Sequence, residues 1–230
     1  MDFILDSFKT AILLILSIDG EVYHAAWTSL SVSVLSAAFA SLLGIPFGMA
    51  LAVVRFPMKR LAIIVLNTMM ALPTVVVGLV VYGIISRQGP LGQWGLIFTP
   101  TAMVIGLTIL AFPIVANNTL SVIKGADKRI LPTMMTLGAS RTQGHIMLLS
   151  EMRFGVTAAV IAGFGRVIAE VGIAMMLGGN IRGYTRTMTT AIALETSKGE
   201  FAFGLALGII LLTVALLVNV LLHYFQGEKV

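Results

Sequence analysis

The chain has 230 residues, 58% of them hydrophobic and only 11% charged, with a mean hydropathy of +1.01. Soluble domains carry about 25% charged residues, so this composition belongs to a membrane protein and leaves no polar stretch for a second, soluble domain. Cysteine is absent, which excludes a disulfide framework or a thiolate site, and the net charge of +5 sits in short loops rather than on a face suited to nucleic acid.

In chain order, Phe3–Ile18 comes first. It is apolar, but Asp6 and Lys9 interrupt its start, and its strongest part, Ala11–Leu16, is short. Residues 1–22 are therefore expected to form an interfacial helix or a short span. The start lacks the basic residues and small-residue cleavage site of a secretory signal.

Residues 23–226 hold five segments long enough to cross a membrane: Ala25–Val54, Leu61–Ser86, Thr101–Ile123, Phe154–Leu177 and Phe201–Phe225. About 20 apolar residues cross the roughly 30 Å hydrocarbon layer as a helix, and helices satisfy their own backbone groups there. The expected fold is an all-α integral membrane protein. In the first segment, Ser29, Ser33 and Ser36 recur near helical spacing, which predicts a polar stripe or a helix contact. Pro46, Pro73 and Pro113 fall in or near spans, and each removes a backbone donor. Ala71-Leu72-Pro73-Thr74 is the best candidate for a break that lines a cavity.

Basic residues set the orientation. Arg55, Lys59, Arg60, Lys124, Lys128, Arg129, Arg141, Arg153 and Lys229 make nine on one side. Lys9, Arg87, Arg182, Arg186 and Lys198 make five on the other. The richer side is expected to be cytoplasmic, with the N-terminus outside and the C-terminus inside.

The loop 124–153 then lies in the cytoplasm and reads as helix–turn–helix. Asp127 is a plausible N-cap, Pro132 fits a first turn, and Gly138 can end that helix. Short helices between spans are natural levers for a partner.

Within the fourth segment, Arg166 and Glu170 are four residues apart, on one face of a continuous helix. Each charge costs at least about 2.5–3.5 kcal/mol at membrane depth, so they are expected to pair and to act as a gate or a packing contact. Beyond them, Gly178–Thr187 combines Arg182 and Arg186 with hydroxyls and exposed amides. That is either an oxyanion-attracting loop or a solvated turn. His24, His145 and His223 are scattered, so no metal site is expected, and there is no P-loop.

Four stretches resemble permease subunits of ATP-binding-cassette importers, especially the molybdate and tungstate type, from about Glu21 onward. They are Met70–Gly78 with its Leu72-Pro73-Thr74, the turn Gly89–Gly92, the stretch Thr136-Leu137-Gly138-Ala139-Ser140-Arg141, and Gly165–Gly172 continuing through Asn180 to Thr185-Arg186-Thr187. The third matches the second half of the family's docking loop. Its usual opening Glu-Ala-Ala is replaced by Pro132-Thr133-Met134, and its closing Leu-Pro by Ser150-Glu151. The wording around Glu170 and Ala191–Phe201 is most similar to tungstate permeases.

The resemblance implies a five-helix permease core in a prokaryotic inner membrane, working as a homodimer. It implies docking of a separate ATPase at Thr136–Arg141, with ATP and Mg held by that partner, and delivery of an oxyanion by an extracytoplasmic binding protein. Pro73, Thr74, Arg166, Glu170, Asn180, Thr185 and Arg186 are the candidates for the path or gate. The chain itself is expected to hold no cofactor and to catalyse nothing. The alternatives are a permease for another small solute or a stand-alone secondary transporter, though only Arg166 and Glu170 offer charge at membrane depth.

Overall fold

The computed structural model describes residues 2–226, with side chains for residues 4–220; Lys229 of the charge count lies outside them, as does the side chain of His223. The described regular elements are all helical. They are α1 (Asp2–Leu16), α2 (Gly20–Val53), α3 (Lys59–Met70), α4 (Thr74–Ile85), α5 (Pro100–Gly125), α6 (Ile130–Thr136), α7 (Arg141–Glu151), α8 (Arg153–Ile168), α9 (Gly172–Gly178), α10 (Met188–Lys198) and α11 (Phe201–Gln226). A 3-10 turn at Gly92–Trp94 lies between α4 and α5.

Among the described residues, three helices, α2, α5 and α11, are long and apolar enough to cross a membrane unaided. The second predicted span is α3 and α4, bent by 100° at Ala71–Pro73. Pro73 caps α4 with extended backbone, and its ring cannot continue α3. Pro46 and Pro113, by contrast, sit inside unbroken helices.

The fourth predicted span is not one helix. It stops at Ile168 and resumes as α9 after Ala169-Glu170-Val171. Glu170 therefore lies in a break, not on the helix with Arg166. The apolar period continues through these residues, so periodicity alone could not place the interruption.

At the N-terminus, α1 packs on α11 and exposes Ile4, Leu5, Leu13 and Leu16. Its 15 residues span about 22 Å, less than the hydrocarbon thickness. Asp19 then caps α2, accepting from the Glu21 and Val22 amides at 3.0 Å each.

The centre of the bundle is the crossing of α2 on α5, where small residues let the backbones meet. A Cβ on Gly44 would lie 3.1 Å from Val115 Cβ, and one on Gly48 would overlap the Ala116 carbonyl oxygen. The serine stripe is a helix contact. Ser36 Oγ donates to Val32 O at 2.7 Å and to Val104 O of α5 at 3.4 Å, while Ser29 Oγ accepts from the Met188 amide at 2.7 Å, satisfying a free donor at the start of α10.

The Gly48 contact gives a direct prediction. Gly48→Ala forces a methyl group against backbone, which cannot rotate away, so α2 and α5 must separate. Overpacking of this kind costs about 1–3 kcal/mol. The thermal transition of the purified variant should fall by several degrees, whereas Gly208→Ala, whose added Cβ meets nothing within 4 Å, should leave it unchanged. Equal transitions would show that the crossing tolerates separation.

Candidate functional site

The stretch from Thr136 to Arg141 is a helix stop followed at once by a helix start. Leu137 closes α6, and Gly138 takes φ +91°. The Gly138 amide donates to Met135 O and the Ala139 amide to Met134 O, both at 3.1 Å, the paired bonds of a Schellman motif. One residue later Ser140 opens α7 with a capping box. Its Oγ accepts from the Gln143 amide at 3.3 Å, and Gln143 Oε1 accepts from the Ser140 amide at 2.8 Å. Gly138 was legible as a turn. The Ser140-x-x-Gln143 spacing was an available signal for the helix start that sequence reasoning missed.

This turn presents apolar surface outward. Leu137 is 82% exposed, and it lines a groove of about 480 Å³ with Met134, Ala139, Gln143, Ile146 and Met147. Exposed apolar patches rimmed by polar residues mark interaction sites. Thr136 and Arg141 flank the groove, both exposed. The arrangement also links two long helices, since α6 follows α5 and α7 meets α8 at a 72° bend. Asp127 does not cap α6, whose cap position is Arg129. Asp127 accepts instead from the Arg129 amide and guanidinium, and that guanidinium holds its carboxyl below the usual carboxylate range.

At the two helix breaks, the residues predicted as path or gate come together. Gly172, the first residue of α9, lies against Thr74 of α4, and a Cβ there would be 3.4 Å from Thr74 Oγ1 and 3.2 Å from Glu170 Oε1. Pro73 is exposed beside them and Thr74 is half-buried. The Glu170 side chain is only 4% exposed, against 41% for Arg166, and their atoms Oε2 and Nη1 are 2.8 Å apart. The second carboxylate oxygen accepts from the Gly172 amide at 3.0 Å and the Ile173 amide at 3.4 Å. Glu170 thus pairs with α8 and caps α9, spanning the interruption. Its burial is compensated by these partners, as a buried carboxylate requires.

From there α9 runs as a wedge. Ile173 is fully buried between Gly78 of α4 and Gly106 of α5, and an added Cβ on Gly106 would overlap its neighbours Leu177 and Ile173. Any change at the Glu170 cap therefore reaches both helices.

The loop after α9 has an exposed first half, residues 181–184, and a buried second half, residues 185–187. Arg186 is buried, its Nη1 2.6 Å from Glu21 Oε1 and 3.3 Å from Glu195 Oε1. Arg182 pairs with the other oxygen of Glu21, and Lys198 with Glu195 at 3.0 Å. Two carboxylates, Glu21 from the distant start of α2 and Glu195 from the adjoining α10, pair with the arginine that the sequence offered to an oxyanion. Thr185 donates to Gly178 O at 2.5 Å and accepts from the Ile181 amide at 3.1 Å, closing the turn on itself. Asn180 takes φ +51° and donates to Thr190 O at 3.5 Å. Thr189 Oγ1 donates to Glu170 O at 2.9 Å, so the start of α10 is tied back to the helix break.

Among the described residues no group of three or more His, Cys, Asp or Glu is placed to hold a metal. What the geometry offers is an exposed apolar turn between two long helices and a pinned helix break.

Comparison with known proteins places this arrangement. The chain is 38% identical to a tungstate uptake system permease protein of Peptoclostridium acidaminophilum over 99% of its own length and 100% of the relative. It belongs to the tungstate uptake permease family. A second such permease, from Campylobacter jejuni, is 40% identical over 97% of this chain and 93% of its own. No family model matches. Among solved structures, an inward-facing MetNI methionine ABC transporter chain superposes with a TM-score of 0.76 at 17% identity, covering 91% of this chain and 96% of its own. At that identity the likeness concerns the fold alone. Both relatives are permease proteins of tungstate uptake systems, in keeping with the membrane-crossing helices of this chain.

Proposed function

We propose that this chain is the membrane path of an ATP-driven importer for a tetrahedral oxyanion, with tungstate as the preferred substrate and molybdate as the closest competitor. Two copies line one path. A separate ATPase, which holds ATP and Mg, docks on Thr136–Arg141 from the cytoplasm, and an extracytoplasmic binding protein delivers the oxyanion at the other face. The N-terminus is outside and the C-terminus inside, in keeping with the distribution of basic residues. The chain carries no cofactor.

One observation carries this reading. Leu137 and its groove are held outward by a Schellman stop and a capping box, on a turn that connects both to α5 and to α8. A turn built so rigidly while presenting apolar surface fits a partner that pushes. Pro73, Thr74, Arg166 and Glu170 then form the gate, because they join the two broken helices that such a push would shift. Asn180, Thr185 and Arg186 hold the loop that closes over α9.

The test is reconstitution of the permease and its ATPase in proteoliposomes, with the loaded binding protein supplied. Uptake of tungstate should require ATP and the ATPase, and molybdate should compete for it. Uptake that persists without the ATPase would establish a secondary transporter. Preference for an amino acid or a sugar would make this a permease for another solute.

A further inference from the structure

Sequence motifs drew attention to the helix breaks, but the half of α5 nearer the basic loop carries polar side chains that no motif absorbed. Three neighbours claim most of its surface. Val115, Ala116 and Thr119 meet the glycines of α2, Val115 and Val122 meet Gly163 and Gly155 of α8, and Leu120 packs with Leu66 of α3. Left over is the face carrying Asn117 and, one turn on, Ser121, which is exposed. Neutral amides at membrane depth face a polar cavity or a partner rather than lipid.

Two further elements border that face. On α3, Met70 receives Asn117 Nδ2 on its sulfur at 3.3 Å, and Asn67, three residues earlier and on the same side as Met70, is exposed. On α8, Phe164 and Ile168 join the cluster formed with α2, α10 and α11, whereas Arg166 lies on the other side of the helix, beyond the Gly163 contact with α5. The Asn117 side of α5 and the Arg166 side of α8 therefore both point away from α2. Between Leu61 and Ile123 the sequence places no lysine or arginine except Arg87, and between Phe154 and Gly165 it places none.

The Asn117 contact is chemically unusual. A thioether is a weak acceptor, so this amide N–H is held by a partner that an oxyanion oxygen easily surpasses. A hydrogen bond to an ionised acceptor is roughly twice as strong as a neutral one. We propose that Asn117, with Asn67 beside it, is a substrate-contacting residue of the path between the gate and the cytoplasm. It donates to the oxyanion in place of Met70 and passes it on without a cation that would retain it. This rests on the importer reading above and assigns the exit half of the same path.

The cysteine-free chain allows a clean test. Single variants Asn117→Cys, Asn67→Cys and Val65→Cys are reconstituted with the ATPase and treated with a water-soluble, membrane-impermeant thiol reagent. Val65 is the control, because it lines an apolar groove with Leu61 and Phe112. The two asparagine positions should react, Asn117→Cys more slowly in the presence of tungstate, and Val65→Cys should not. In parallel, Asn117→Asp should lower tungstate uptake by about tenfold or more, since a fixed negative charge then faces a dianion, while Asn117→Ser retains most of it. An unreactive Asn117→Cys, or an Asn117→Asp variant with full uptake, overturns the proposal. A wild-type protein that moves no oxyanion would sink the importer reading instead, and thiol labelling would still report whether the lane is wet.

Discussion

Replacing Glu170 by alanine is expected to lower stability by about 2–4 kcal/mol and to abolish most uptake. Removing one member of a buried ion pair costs about 3–5 kcal/mol when the remaining charge stays buried. Arg166 is 41% exposed, so solvent screens part of that penalty and leaves about 1–3 kcal/mol. Loss of the acceptor for the Gly172 and Ile173 amides adds about 1 kcal/mol, the usual value of a helix cap. The two contributions can be separated. Glu170→Gln keeps a carbonyl oxygen for the amides and should recover the capping part of the loss. Pairing it with Arg166→Met removes the stranded charge as well, and that double variant should approach wild-type thermal stability. If the pair works as a gate, the stabilised double variant still transports poorly. A Glu170→Ala protein with unchanged thermal transition and unchanged uptake would show the pair to be incidental.

How much of this was legible in the sequence depends on the range of each interaction. Pro73 was readable because a proline removes its own donor, and the span breaks there by 100°. Gly138 was readable for a similar reason, since a residue with positive φ is needed where a helix stops. Glu170 misled because Arg166 and Glu170 have the spacing of a helical pair, and their ion pair does form. What the spacing could not reveal is that the carboxylate also caps a second helix, and capping requires the first to have ended. The environment of Arg186 was beyond local reasoning altogether. Its partner Glu21 is 165 positions away, and only the folded bundle brings α2 against the loop after α9. An arginine that looked available to an anion is already neutralised from within the chain. Asn117 was overlooked for the opposite reason: nothing in its local sequence distinguishes it until the neighbours of α5 are known.

Gly138→Val is expected to separate ATP hydrolysis from uptake, lowering the oxyanion moved per ATP by roughly tenfold, while membrane insertion stays intact. Gly138 holds φ +91°, a conformation that a β-branched residue does not adopt without strain of about 1–3 kcal/mol. A Cβ there meets nothing within 4 Å, so within this chain the effect is conformational rather than steric. To relieve it, the chain must abandon the Schellman bonds from Gly138 and Ala139, and the axes of α6 and α7 then lose their fixed relation. Leu137 and the groove would still be exposed, so under the proposed docking the ATPase still binds while its push no longer reaches α5 and α8 together. Gly138→Asn is the informative companion. Asparagine tolerates positive φ and is bulky, so it should preserve coupling if geometry matters and lose it if the partner needs empty space at this position. The measurement is tungstate uptake and ATP hydrolysis in the same proteoliposomes, with membrane content of each variant determined by immunoblot. Full coupling in Gly138→Val would remove the turn from the mechanism, whereas a failure of both variants would assign Gly138 to direct contact with the ATPase.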